Sequence, residues 1–172
     1  AAVAALERLG ELYTTQRFPR GITPAQVSEQ CRDMLQALLG GQEAAILEQQ
    51  RYRLNVMVAR SKGLVASDRR LLLMAGLAPV VMANAIHRPW IRLGFERIVM
   101  HDERAEPPLE AFSDFPGRHE GLNAGNLQAA LLASASIPFV MNAVASIPGV
   151  AGRAFRDGGL TDYHLDLPYA GD

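Results

Sequence analysis

Cysteine is almost missing from this sequence. Cys31 is the only one, so no disulfide can close within the chain and nothing calls for an oxidising compartment. An excess of one charge is missing too: 17 Lys and Arg stand against 18 Asp and Glu, a formal net charge of -1, which leaves no global basic footprint for nucleic acid. Metal-ligand spacing is absent as well. The four histidines, His87, His101, His119 and His164, form no His-Glu-x-x-His and there is no Cys-x-x-Cys, so no metal is expected. The uncharged run 71–86, "LLLMAGLAPVVMANAI", is shorter than the roughly 20 apolar residues a membrane span needs and contains Pro79. It reads as a buried core helix, with a surface-inserting helix as the alternative. Arg60, Lys62, Arg69 and Arg70 beside it could meet anionic headgroups, although a solvated helix start is the plainer reading.

What is present describes an ordinary folded domain. The 172 residues are 49% hydrophobic and 20% charged, enough chain for one core. In residues 2–16, Leu6, Leu9 and Tyr13 share the face of an amphipathic helix that ends before Pro19 and Gly21. Thr23-Pro24 is a strong start for a second helix, which Gly40 and Gly41 stop. Its stripe of Val27, Cys31, Met34, Leu35 and Leu38 makes Cys31 a packing residue rather than a nucleophile. A short helical segment spans 44–49. Alternation of Leu54, Val56 and Val58 then predicts a strand running out into Gly63, and "GFERIVMH" at 94–101 predicts another. Residues 102–121 read as a loop, and a helix from about Asn123 runs to a stop at Pro138. "FVMNAVAS" at 139–146 reads as a strand, Pro148-Gly149 as a turn, and "RAFR" as a short strand leading into Asp157. Strands alternating with helices predict an α/β fold.

The chemistry is concentrated near the end of the chain. "RAFRDGGLTDYH" at 153–164 places Asp157 before Gly158 and Gly159, which by itself is a common turn. The ordered pair "ALLASASIPFVM" and "FRDGGLTDYHLDLP" resembles the patatin-like phospholipases, and the resemblance covers residues 122–168, with a weaker one over 71–101. In that family a small-residue helix end precedes the Asp-Gly-Gly turn that supplies the catalytic aspartate.

That resemblance implies a patatin-like three-layer α/β/α domain, N-terminally incomplete, of which 1–172 is the C-terminal part. Asp157 matches the catalytic acid, with Gly158 and Gly159 as the turn after it. Ser134, Ala135, Ser136, Ile137 and Pro138 match a packing segment, and His164 could line the rim of the site. "TDYHLDLP" departs from the Asp-Asn-x-Pro ending of many members. The family's reaction is hydrolysis of lipid acyl esters by a Ser-Asp dyad, with no metal or organic cofactor.

A serine hydroxyl needs a positioned base to become a nucleophile. The serine of such enzymes sits in a Gly-x-Ser-x-Gly elbow, with a glycine-rich loop supplying oxyanion donors. No serine here (28, 61, 67, 113, 134, 136, 146) lies in that pattern, and no such loop occurs. Both ends read as cut from a longer chain, so the nucleophile is expected just upstream of Ala1 and this chain alone is expected to be inactive.

Lipid or acyl-ester substrate and peripheral membrane contact are the expected partners, and nucleic acid is not. No targeting signal is read in "AAVAALERLG", so a cytoplasmic location is the default, with membrane association as the alternative. The rivals are a non-catalytic lipid-binding or interaction protein with the same fold, and an unrelated α/β domain in which Asp157 is only a turn residue. A catalytic Asp157 should point into an apolar cleft; a turn residue should face solvent or cap its own backbone.

Overall fold

The computed structural model describes residues 10–15, 17–104 and 115–162. Residues 10–15 are helical, in keeping with the first expected helix. The next helix, α1 (Pro24–Leu39), begins as its sequence requires. Thr23 Oγ1 accepts from the Gln26 amide while the Gln26 side chain accepts from Thr23 N–H, and proline fills the first turn. A short helix, α2 (Glu43–Glu48), leads into strand β1 (Asn55–Ser61).

Four strands form one mixed sheet. β1 lies between β2 (Phe95–His101) and β4 (Phe155–Asp157), antiparallel to both, and β3 (Gly117–Gly121) runs parallel to β2 at one edge. The fold is therefore mixed α/β.

Helices cover both faces of the sheet, because successive strand residues point to opposite sides. On one face Val56, Val58, Ile98, Met100 and Phe155 meet Leu127, Ala130 and Ala133 of α4 (Leu127–Ser134). On the other, Ala59 and Phe95 meet Leu73 and Val80 of α3 (Arg70–Ile86), with Val65 and Ile91 from the tight turns Gly63–Ala66 and Arg88–Leu93. Fully burying a side chain such as Phe155 contributes about 1.5–3 kcal/mol, so the faces rather than the short β4 ladder hold the sheet.

Three readings of the sequence change. Residues 102–121 are not all loop, since 117–121 form β3; its Arg118, His119 and Glu120 are polar edge residues, with Arg118 facing Glu96 and His119 facing His101 of β2. Residues 139–146 form no strand. Phe139 takes a left-handed φ of 67°, Val144 makes a single bridge to Phe155, and the Asn142 and Ala143 amides donate to Ser28 Oγ and Asp68 Oδ1 instead of to a ladder. Helix α3 joins the core on one side only. Only Leu73, Gly76 and Val80 are buried, while Leu71, Met82 and Ile86 are 80%, 68% and 75% exposed. Among the described residues no helix is long and apolar enough to cross a membrane.

Candidate functional site around Asp157

β4 delivers Asp157 at its end, opposite Val58 in the register, so its side chain shares the sheet face of Phe155 and α4. The chain then turns through Gly158–Leu160. Asp157 is half-buried, and its Oδ1 accepts from the Gly159 amide at 2.8 Å. Its Oδ2 has no hydrogen bond among the described residues. The Asp157 amide donates to the Ser136 carbonyl at 3.2 Å, which ties the strand end to the segment after α4.

The two glycines serve a purpose other than the one their sequence suggests. Neither adopts positive φ. Gly158 is required by crowding instead, because a Cβ there would stand 2.4 Å from the Met57 carbonyl oxygen of β1. At Gly159 the nearest atom would be Asp157 Oδ1 at 3.2 Å, so a side chain would press on the carboxylate itself.

Two buried arginines, both missed in the sequence, fix the turn from either side. Upstream, Arg156 is fully buried and donates to Asp68 Oδ1 at 2.7 Å and to the Ser67 carbonyl at 3.2 Å. Burial pulls its pKa below the usual arginine value, and the charge of Asp68 acts against that pull. Downstream, Arg97 of β2 makes a two-pronged pair with Asp162, Nε to Oδ2 at 2.7 Å and Nη2 to Oδ1 at 2.5 Å, and Nη1 donates to the Phe115 carbonyl at 2.9 Å. The Phe115 ring lies 3.9 Å from the Arg97 guanidinium carbon. Arg88 also donates to the Thr161 carbonyl. The only hint in the sequence is an arginine inside each short apolar strand, "FERIVMH" and "AFRD".

The expected packing segment is buried only in part. Ser136 is fully buried and its Oγ donates to the Leu132 carbonyl at 2.7 Å, so its hydroxyl is committed. Pro138 is buried beside it, Ser134 is half-buried, and Ala135 and Ile137 are exposed. Ser61 Oγ is buried without a partner among the described residues, but it shares the face of Ala59, opposite to that of Asp157. Cys31 packs against the Val27, Leu132 and Met141 cluster, and burial pushes its thiol pKa up, away from the reactive thiolate. His164 lies outside the described residues.

A cleft of about 690 Å³ opens between α1, α4 and residues 142–146, and Asp157 does not line it. Two of its polar residues are already bonded: Ser28 to Pro24 and Asn142, and Asp68 to Arg156 and Ala143. Asp157 thus caps its own backbone through one oxygen, and the other has no partner among the described residues. Comparison of the chain with protein-family models, with curated proteins and with solved structures finds no match to any of them.

Proposed function

We propose that Asp157 is the general base of a serine acyl hydrolase of the patatin-like type, acting on lipid or other acyl esters, and that its serine belongs to a segment preceding Ala1. The observation that carries this reading is the division of labour in the Asp157 carboxylate. Oδ1 is held by the Gly159 amide and Oδ2 is unpartnered among the described residues, on a strand end flanked by two buried arginines, each paired with an aspartate. A base needs such a fixed carboxylate with one open oxygen.

In this reaction the serine oxygen attacks the ester carbonyl carbon as Asp157 takes its proton. The alcohol departs with that proton, leaving an acyl-enzyme that water then hydrolyses with Asp157 again as base. The described chain supplies the acid and its support, and neither metal nor organic cofactor enters these steps. The bond to Gly159 is also one that a plain Asp-Gly turn makes, so the two readings part at Oδ2.

A fluorophosphonate probe, which reacts only with an activated serine, tests the proposal on the complete protein carrying this chain. Labelling at a serine upstream of Ala1, slowed by Asp157→Asn, is the expected result. An unlabelled protein, or equal labelling of both, would leave Asp157 as a turn residue and favour the non-catalytic lipid-binding reading.

A further inference from the structure

The outward side of α3 is the least ordinary surface of the molecule. At 3.6 residues per turn, Leu71, Met74, Ala78, Met82 and Ile86 fall on one stripe, opposite the buried Leu73, Gly76 and Val80. A surface helix normally carries polar residues there. Trp90 and Leu93, 42% and 66% exposed, are two further exposed apolar residues in the turn that follows. An exposed patch of this kind marks an interaction site.

Along this stretch of the sequence the charge has one sign. Between Asp68 and Glu96 the sequence has no acidic residue, yet it holds Arg69, Arg70, Arg88 and Arg92 in a chain whose overall charge is -1. Arg69 and Arg70 stand at the start of α3 and Arg92 beyond its end, all three exposed, and none makes a salt bridge among the described residues. Placing two cations at the positive end of a helix dipole, with no acidic residue in the first turn, is unfavourable in water. Anions nearby would relieve it.

We propose that this face docks on an anionic lipid bilayer, with α3 lying in the plane of the interface, its apolar stripe among the acyl chains and the arginines at its two ends on the headgroups. An apolar face flanked by basic residues and an interfacial tryptophan is the pattern of such helices. A second copy of the chain fits less well, because pairing two such faces would bring arginines against arginines. The docking face stands on its own apolar surface and charge, independently of the reading of Asp157.

Trp90 is the only tryptophan in the sequence and lies half-exposed in the turn that follows α3, so its emission is the probe of docking. Co-sedimentation and Trp90 emission are measured with vesicles of pure phosphatidylcholine and of phosphatidylcholine with about one third phosphatidylglycerol. Expected are binding and a blue shift with the anionic vesicles only. A loss of at least tenfold in affinity is expected both in Met82→Glu/Ile86→Glu and in Arg69→Glu/Arg70→Glu, with melting temperatures unchanged because these side chains are exposed.

Equal binding to both vesicle types, no binding to either, or variants that bind like the wild type would overturn the proposal. A dimer in solution that Met82→Glu/Ile86→Glu dissolves, without vesicle binding by the wild type, would assign the face to a second copy. Hydrolysis of a soluble ester by the docking variants reads Asp157 separately, since none of these residues adjoins it.

Discussion

Gly158 and Met57 approach so closely that a single added carbon would collide: a Cβ on Gly158 would lie 2.4 Å from the Met57 carbonyl oxygen and 2.6 Å from its carbonyl carbon. The turn that follows Asp157 is thus pressed onto the middle of β1, and the direction of the Asp157 carboxylate is set by that contact. Because both atoms are backbone of a paired strand, neither can move aside cheaply.

Gly158→Ala should therefore destabilise the protein by about 1–3 kcal/mol, the usual cost of forcing an extra carbon into a packed site. Gly159→Ala should cost less, because its nearest neighbour is a side-chain oxygen at 3.2 Å. Urea midpoints of the two variants check the order. Equal midpoints would show that the turn can shift away from β1.

The pair between Arg97 and Asp162 is buried at both ends, with side chains 2% and 4% exposed. Removing Asp162 strands the buried Arg97 charge, so Asp162→Asn should cost about 3–5 kcal/mol, whereas Arg97→Met should cost less because Arg88 Nη2 also lies 3.5 Å from Asp162 Oδ1. Arg97→Met/Asp162→Leu, which removes both charges, should cost less than the sum of the single losses. Additive losses in denaturant unfolding would mean that the two residues act independently.

Acid should weaken the fold partly through Asp102. Its side-chain hydrogen bond to Arg104 Nε at 2.9 Å, with the Arg104 amide at 3.0 Å and the charges of Arg104 and Arg53, holds its pKa below the ordinary carboxylate value. A carboxyl with a depressed folded pKa stabilises the protein above its unfolded value, about 3.9, and loses that contribution as pH falls through the folded value. The gap in urea midpoint between Asp102→Asn and wild type should accordingly be wide at pH 7 and shrink as pH drops below about 4. A gap that stays constant with pH would remove Asp102 from the acid response.

The parts of the fold that local chemistry decides are readable in the sequence. Thr23 and Pro24 start α1 because the cap and the proline act within one turn, and Val56 and Val58, like Ile98 and Met100, mark their strands because one sheet face is buried. β3 is hidden because a polar edge strand needs no hydrophobic alternation. Residues 139–146 mislead in the other direction: they are apolar, but the partners of their amides, Ser28 and Asp68, are distant in sequence.

α3 shows why apolarity alone does not place a helix. Its residues are apolar all round, so no periodicity separates the side that packs on Val65 and Ile91 from the side that faces outward. Around the candidate site, the Asp-Gly-Gly motif and the small-residue segment stand out as sequence. The support from Arg156, Asp68, Arg97 and Asp162 does not, since a buried arginine and a solvated one are written with the same letter and differ only in their partners.

The most direct measurement of the central claim is p-nitrophenyl butyrate hydrolysis by the complete protein carrying this chain, compared with its Asp157→Asn variant at matched melting temperature. As the base for the serine, Asp157 should be worth about 10²–10⁴-fold in kcat/KM, and the variant should lose that much. Turnover undiminished in the variant, or absent from the wild type, would contradict the account and return "RDGGL" to a structural turn.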